Sequence, residues 1–145
     1  MESAIQRQQD GATVRLITSQ CSFTYHRPAP GVVHIQILGK DLGQFGPAVI
    51  QELASDLATS ARLELFVDTS DVFLAVPRVA ELWTNWFRTN QSSLKSVNIL
   101  VRSRYVQLTV EVAKLFSRTG ELIRIYLDPD NFKDALWRAA TSRPR

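Results

Sequence analysis

LELFVDTSDVFLAVPRVAELWTNWF, residues 63–87, is the stretch on which the reading of this 145-residue chain turns. Leu63 to Val67 is a compact apolar run of strand length, closed by a polar cluster. That cluster, Asp68, Thr69, Ser70 and Asp71, reads as a turn, because Asp and Ser side chains bond nearby backbone groups. An apolar ramp leads from it into helical periodicity over residues 76–89. Pro77 suits the first helical position, where its missing N–H has no intrahelical partner to lose. A strand followed by a helix is half of a β-α unit, and the rest of the chain can be ordered around this joint.

Outward from it the same alternation repeats. Upstream, residues 32–38 set Val33, Ile35 and Ile37 on one face of a strand and Val32, His34, Gln36 and Leu38 on the other. Residues 47–60 place Val49, Ile50, Leu53, Leu57 and Ala58 at helical spacing behind Pro47. Downstream, residues 97–101 form another short strand. A helix over 104–118 follows, with Tyr105, Leu108, Val112, Leu115 and Phe116 on its apolar stripe and Gly120 as its left-handed cap. Residues 123–127 are the last strand. Asp128 and Pro129 open a final helix whose apolar face is Phe132, Ala135, Leu136 and Ala139. Near the N-terminus, residues 12–20 alternate imperfectly, and residues 21–26 either continue that strand past a kink or form their own. RPAPG, residues 27–31, is a turn. Residues 1–11 are expected as a frayed tail and 141–145 as a second, with one domain over 12–140. Short strands alternating with helices predict an α/β fold: a mostly parallel sheet with helices packed on it and an antiparallel N-terminal edge.

Composition narrows the function. No apolar run approaches the roughly 20 residues that span a bilayer, and residues 1–11 lack a basic-then-apolar leader, so a cytoplasmic location and no membrane span are expected. The single cysteine, Cys21, excludes an internal disulfide. Through Val72 there are five basic and eight acidic residues, and from Phe73 onward twelve basic and six acidic, which can present a basic face to an anionic partner. There is no basic run and no nucleic-acid-binding motif, so nucleic acid is not an expected partner. His26 and His34 are the only histidines, and each sits in a strand. No Cys/His cluster has metal-ligand spacing, and there is no glycine-rich phosphate loop. No metal, cofactor or catalytic residues are therefore expected, and the chain reads as a binding module rather than an enzyme.

The candidate site lies at the strand exits, because ligands of open α/β sheets meet the carboxyl ends of the strands. Residues 63–67 end at Asp68, Thr69 and Ser70. Residues 97–101 end at Arg102, Ser103 and Arg104. With Arg78 at the start of the helix, these groups form a rim suited to a phosphate, a carboxylate or an acidic side chain. The plainer reading is that Asp68 and Ser70 satisfy turn backbone while the arginines are solvated. Helix 76–89 carries two apolar stripes side by side, Val76, Ala80, Trp83 and Phe87 beside Val79, Leu82 and Trp86, wider than a single sheet contact needs. Trp83 is assigned to the core. Trp86, next to Arg88, is assigned to a partner surface, since Trp and Arg are enriched at interface hot spots.

These features together resemble the sulfate-transporter-and-anti-sigma-factor-antagonist (STAS) domain and the wider SpoIIAA-like superfamily. The resemblance rests on the strand, Asp68, its turn and the helix starting near Pro77, on Leu115-Phe116-Ser117-Arg118-Thr119-Gly120, on Ile125-Tyr126, and on Phe132-Lys133-Asp134-Ala135-Leu136. It covers about residues 32–139. It implies an anti-sigma-factor-antagonist type of regulatory module that binds a kinase-like or anti-sigma-like protein, or itself. The alternative it implies is a carrier or sensor of a small molecule or lipid. One departure matters. The switch proteins of the family carry Asp-Ser-Ser-Gly at the start of this helix and are phosphorylated there. Aligned from Asp68 without a gap, those positions are Val76, Pro77, Arg78 and Val79, which offer no hydroxyl, so switching at the family position is not expected. Thr69 and Ser70 are the nearest alternatives.

Overall fold

The structure, a computed structural model, describes residues 4–59, 62–117 and 120–141. Seven strands lie across one sheet in chain order: β1 (Gln6–Asp10), β2 (Thr13–Ile17), β3 (Cys21–Ala29), β4 (Val32–Asp41), β5 (Leu63–Ala75), β6 (Leu94–Leu100) and β7 (Ile123–Tyr126). The pairings from β1 to β4 are antiparallel and those from β4 to β7 parallel. Helices α1 (Ala48–Gln51), α2 (Ala54–Thr59), α3 (Pro77–Asn90), α4 (Arg104–Ser117) and α5 (Pro129–Thr141) complete the fold. This is the α/β architecture expected from the alternation, with its antiparallel N-terminal edge.

Strand alternation divides the core in two. Phe23, Tyr25, Val33, Ile35, Leu65, Val67, Val97 and Ile99 face α1–α4 and pack with Val49, Trp86, Phe87, Val106 and Val110. Val32, Phe66 and Leu100 face the other way, under Phe132 and Ala139 of α5. The Phe132 ring stands edge-on to Phe66 at 5.9 Å and to Tyr126 at 5.7 Å, a favoured aromatic geometry.

Several expectations are corrected. Residues 6–10, read as part of a frayed tail, form edge strand β1. All five of its residues are exposed, so no apolar alternation announces it. It is held by its ladder to β2 and by the Arg7 guanidinium, which meets the Glu52 carboxylate at 3.0 Å. The single helix expected over 47–60 is two short ones. The Tyr25 hydroxyl donates to the Val49 carbonyl at 2.6 Å, and Arg27 donates to the Glu52 carbonyl at 3.1 Å. Those are the carbonyls that the N–H groups of Leu53 and Asp56 would take in a continuous helix. Leu53 bonds back to Ile50 instead. Residues 21–26 belong to a separate strand that runs through Arg27 and Pro28, and the proline is tolerated because the ladder is irregular between His26 and Ala29. β4 continues to Asp41, past the expected loop boundary. Gly39 allows this: a Cβ there would sit 2.1 Å from the Gln20 carbonyl oxygen.

The largest correction falls on the opening stretch. β5 runs for 13 residues, and Asp68–Asp71 is strand rather than turn. β6 ends where Leu100 pairs with Asp68, but β4 stays beside β5 until Asp41 pairs with Ala75. The strand-to-helix joint therefore lies at Val76, which has extended backbone and precedes Pro77 at the first position of α3. Thr141 belongs to α5, whereas Arg118, Thr119 and residues 142–145 lie outside the described residues.

Candidate functional site

The rim expected at the strand exits is divided by the sheet. Asp68 and Ser70 lie on the α5 side, where the Asp68 carboxylate accepts from the Ser70 backbone N–H at 2.9 Å and from its hydroxyl at 2.5 Å. Thr69 points to the opposite face. It is buried, and its hydroxyl donates to the Leu100 carbonyl at 2.6 Å, tying β5 to the end of β6. Arg102 and Arg104 are exposed and Ser103 half-buried at the β6–α4 joint. The seven residues of β5 beyond Asp68 carry Arg78 away from this group. Arg78 lies along Gly43, its Nε 3.4 Å from where a Cβ would stand. Among the described residues no ion pair joins Asp68 to Arg78, Arg102 or Arg104.

The two tryptophans are exchanged relative to expectation. Trp86 is only 7% exposed and belongs to the main core, while Trp83 is half-buried at its edge. Trp86 stands edge-on to Trp83 at 5.7 Å and to Phe87 at 5.8 Å. Its helical phase follows Val79, seven residues earlier and also buried. Arg88 is exposed and lines a groove between α3 and α4.

That groove is the feature sequence reasoning missed. Its volume is about 680 Å³, and its walls include Leu74, Tyr105, Leu108 and Val112. Four residues of the α4 stripe read as core face outward: Tyr105 is 77% exposed, Leu108 60%, Leu115 72%, and Val112 is exposed as well, while the Phe116 side chain lies outside those described. Val106 and Val110 are buried in its place. With Thr69 and Val72 of β5 they line a small cavity of about 70 Å³. Phe73, 73% exposed on β5, adds a further apolar side chain to the outside of the molecule. The signal for an outward stripe was present, since α4 carries two apolar phases, but nothing local says which one is buried.

Little in the structure supports reaction chemistry. Cys21 is buried, and burial, assisted by the Asp41 charge, pushes its thiol up to about 12, so it is not a nucleophile near neutrality. Asp41 is buried too. Its carboxyl is raised by burial and accepts the Gly43 N–H at 3.2 Å. It borders the 70 Å³ cavity and a second of about 240 Å³ beneath α3. Among the described residues no three His, Cys, Asp or Glu side chains converge as a metal site, and no helix is long and apolar enough to cross a membrane.

His34 sits between the His26 ring at 5.7 Å and Phe132 at 6.0 Å, its Nε2 buried without a hydrogen-bond partner. Burial and then the neighbouring His26 hold its pKa below the usual 6.5, against an upward pull from Asp68. The unfolded chain therefore binds this proton more readily. The stability that neutral His34 contributes is complete above about pH 6.5 and is lost as pH falls below it. Asp41 has the opposite sign: its raised carboxyl favours the fold at low pH, a contribution lost as pH rises through the raised value. Urea midpoints at about pH 7.5 and about pH 5 are expected to fall further on acidification in the wild type than in His34→Leu. Equal falls would show that His34 does not carry the effect.

No family model matches the chain, and no curated protein matches it. Solved structures do. An anti-sigma factor antagonist from Mycobacterium paratuberculosis superposes with a TM-score of 0.57 at 15% identity, over 81% of this chain and 94% of that one. An uncharacterized protein of the DUF3478 family with a SpoIIAA-like fold, from Shewanella loihica, covers 92% of both chains at 14% identity with a TM-score of 0.49. The chain shares the fold of that anti-sigma factor antagonist.

Proposed function

We propose that the chain is a non-catalytic regulatory module of the anti-sigma-factor-antagonist type. It works in the cytoplasm by binding another regulatory protein and is not switched by phosphate at the family position. The observation that carries this reading is the outward apolar stripe of α4 beside the groove, since exposed apolar patches of this kind mark interaction sites. The cavities beneath α3, about 70 and 240 Å³, fall short of the roughly 300–1,000 Å³ of ligand pockets, whereas the α3–α4 groove, at about 680 Å³, is of that size and is the observation that favours a small-molecule carrier as the second reading. Affinity capture from the source lysate is expected to retain a regulatory protein on the wild type and to lose it on a Leu108→Asp, Leu115→Asp variant. Equal capture by both would overturn the reading.

The absence of a switch has its own test. Val76, Pro77, Arg78 and Val79 occupy the family's phosphoacceptor positions. The Thr69 hydroxyl is buried and engaged, and the Ser70 hydroxyl is held by Asp68. Incubation with ATP and an anti-sigma-type kinase is expected to leave the intact mass unchanged. Stoichiometric phosphate on Ser70 or Thr69 would contradict this.

A further inference from the structure

Asp41 ends β4 and is only 5% exposed. Among the described residues its carboxylate accepts one hydrogen bond, from the Gly43 N–H at 3.2 Å, and enters no ion pair. A buried carboxylate ordinarily has a cation or several donors around it. This one borders open space instead, the cavity of about 240 Å³ beneath α3, and burial accordingly raises its carboxyl.

The rest of the lining specifies a ligand. The one other charged side chain on the cavity is Arg78, exposed in the first turn of α3. Every remaining wall is glycine or apolar, with Phe45, Pro47, Val49, Leu82 and Trp83 the largest side chains. No ion pair joins Asp41 to Arg78, so neither charge neutralises the other. Gly43 measures the gap between them. The carboxylate is 3.2 Å from the Gly43 nitrogen, a Cβ on that residue would stand about 2.5 Å further on, and Arg78 Nε is 3.4 Å beyond it, so the two groups are at most about 9 Å apart. An ammonium and a carboxylate carried on one carbon, each making a charge-assisted hydrogen bond of about 2.8 Å, span up to about 9 Å and bend to less. The first turn of α3 holds no acidic residue, and the positive end of its dipole favours a carboxylate at the Arg78 end. The cavity is below the size of a drug pocket, but it has room for about eight water molecules at roughly 30 Å³ each, and so for a molecule the size of leucine. A simple amine would leave Arg78 unused. A simple carboxylate would leave Asp41 buried without a cation.

We propose that the cavity beneath α3 binds a small apolar α-amino acid, its ammonium on Asp41, its carboxylate on Arg78 and its side chain against Phe45, Val49, Leu82 and Trp83. This goes beyond the protein-binding reading and does not rest on it. Titration calorimetry of the full chain with L-leucine and with L-phenylalanine tests it, and at least one of them is expected to bind saturably. Isocaproate is leucine without its ammonium, and isoamylamine is leucine without its carboxylate. Each is expected to bind at least about tenfold more weakly than the amino acid, because each strands one charged group of the site. Asp41→Asn and Arg78→Met are each expected to weaken amino-acid binding at least about tenfold. Arg78→Met is expected to keep its melting temperature, the side chain being exposed, so the test stands even where Asp41→Asn fails to fold. Leu108→Asp, Leu115→Asp, which alters the α3–α4 groove, is expected to bind the amino acid as the wild type does. No saturable heat from either amino acid overturns the proposal. So does binding of isocaproate or isoamylamine as tight as that of leucine, or amino-acid binding unchanged in Arg78→Met. Binding lost in Leu108→Asp, Leu115→Asp moves the ligand to the groove and likewise overturns it. Capture of a regulatory protein from the lysate is a separate measurement, so the protein-binding reading stands or falls apart from these results.

Discussion

Trp86→Ala lowers stability by about 3–5 kcal/mol, the range for truncating a buried aromatic. The side chain is in contact range of Trp83 and Phe87, and this aromatic cluster is what fastens α3 to the sheet. Two cavities already border α3, of about 70 and 240 Å³, so the helix has few other contacts into which it can collapse. Trp83→Ala is expected to be milder, about 1–3 kcal/mol, because part of that ring is already in water. Urea denaturation followed by circular dichroism measures both. A smaller loss for Trp86→Ala than for Trp83→Ala would mean that α3 is rotated from the phase described.

Arg27→Met is expected to cost about 2–3 kcal/mol, somewhat below the range for breaking a fully buried pair because some solvent reaches it. Arg27 clamps three parts of the chain. Its Nε and Nη2 reach the two Asp56 oxygens at 2.8 Å each, Nη2 also donates to the Glu52 carbonyl, and Nη1 donates to the Ala12 carbonyl at 3.0 Å. The side chains are 20% and 13% exposed, so removing one leaves the other largely desolvated. The double variant Arg27→Met, Asp56→Leu is therefore expected to recover part of the loss, since an apolar pair carries no stranded charge. A thermodynamic cycle over the single and double variants measures the coupling. Strictly additive losses would show that the ion pair itself contributes nothing.

What could be read in the chain and what could not follow from where the deciding forces act. The faces of β4 and the seat of α5 were legible, because Val33, Ile35 and Ile37 alternate, Asp128-Pro129 marks a helix start, and Phe132, Ala135, Leu136 and Ala139 define one stripe. Each of these signals is local. The break between α1 and α2 was not legible, because the groups that cause it, Tyr25 and Arg27, come from β3, some two dozen residues upstream. Nor was the length of β5: Asp68-Thr69-Ser70-Asp71 has turn composition, and only the continuing edge of β4 keeps it extended. The same holds for the site. Strand alternation places Asp68 and Thr69 on opposite faces once that segment is strand, which divides a rim that a turn would have gathered. For α3 and α4 the period was right and the phase was not. Trp86 competes with Trp83, and Val106 and Val110 with Tyr105, Leu108, Val112 and Leu115, and only the surface each helix meets decides between them.

The chain order of the strands bears on how the molecule is made. Every strand pairs with the one synthesised just before it, and no pairing reaches across more than 34 residues, the separation of Asp41 from Ala75. Loop closure is therefore modest at each step. As the polypeptide emerges from a ribosome, each new strand finds its neighbour already in place, so the sheet can be laid down from β1 toward β7 without waiting for a distant segment. The face under α5 stays uncovered until α5 itself arrives, and Phe66 and Leu100 remain open to solvent until Phe132 closes over them.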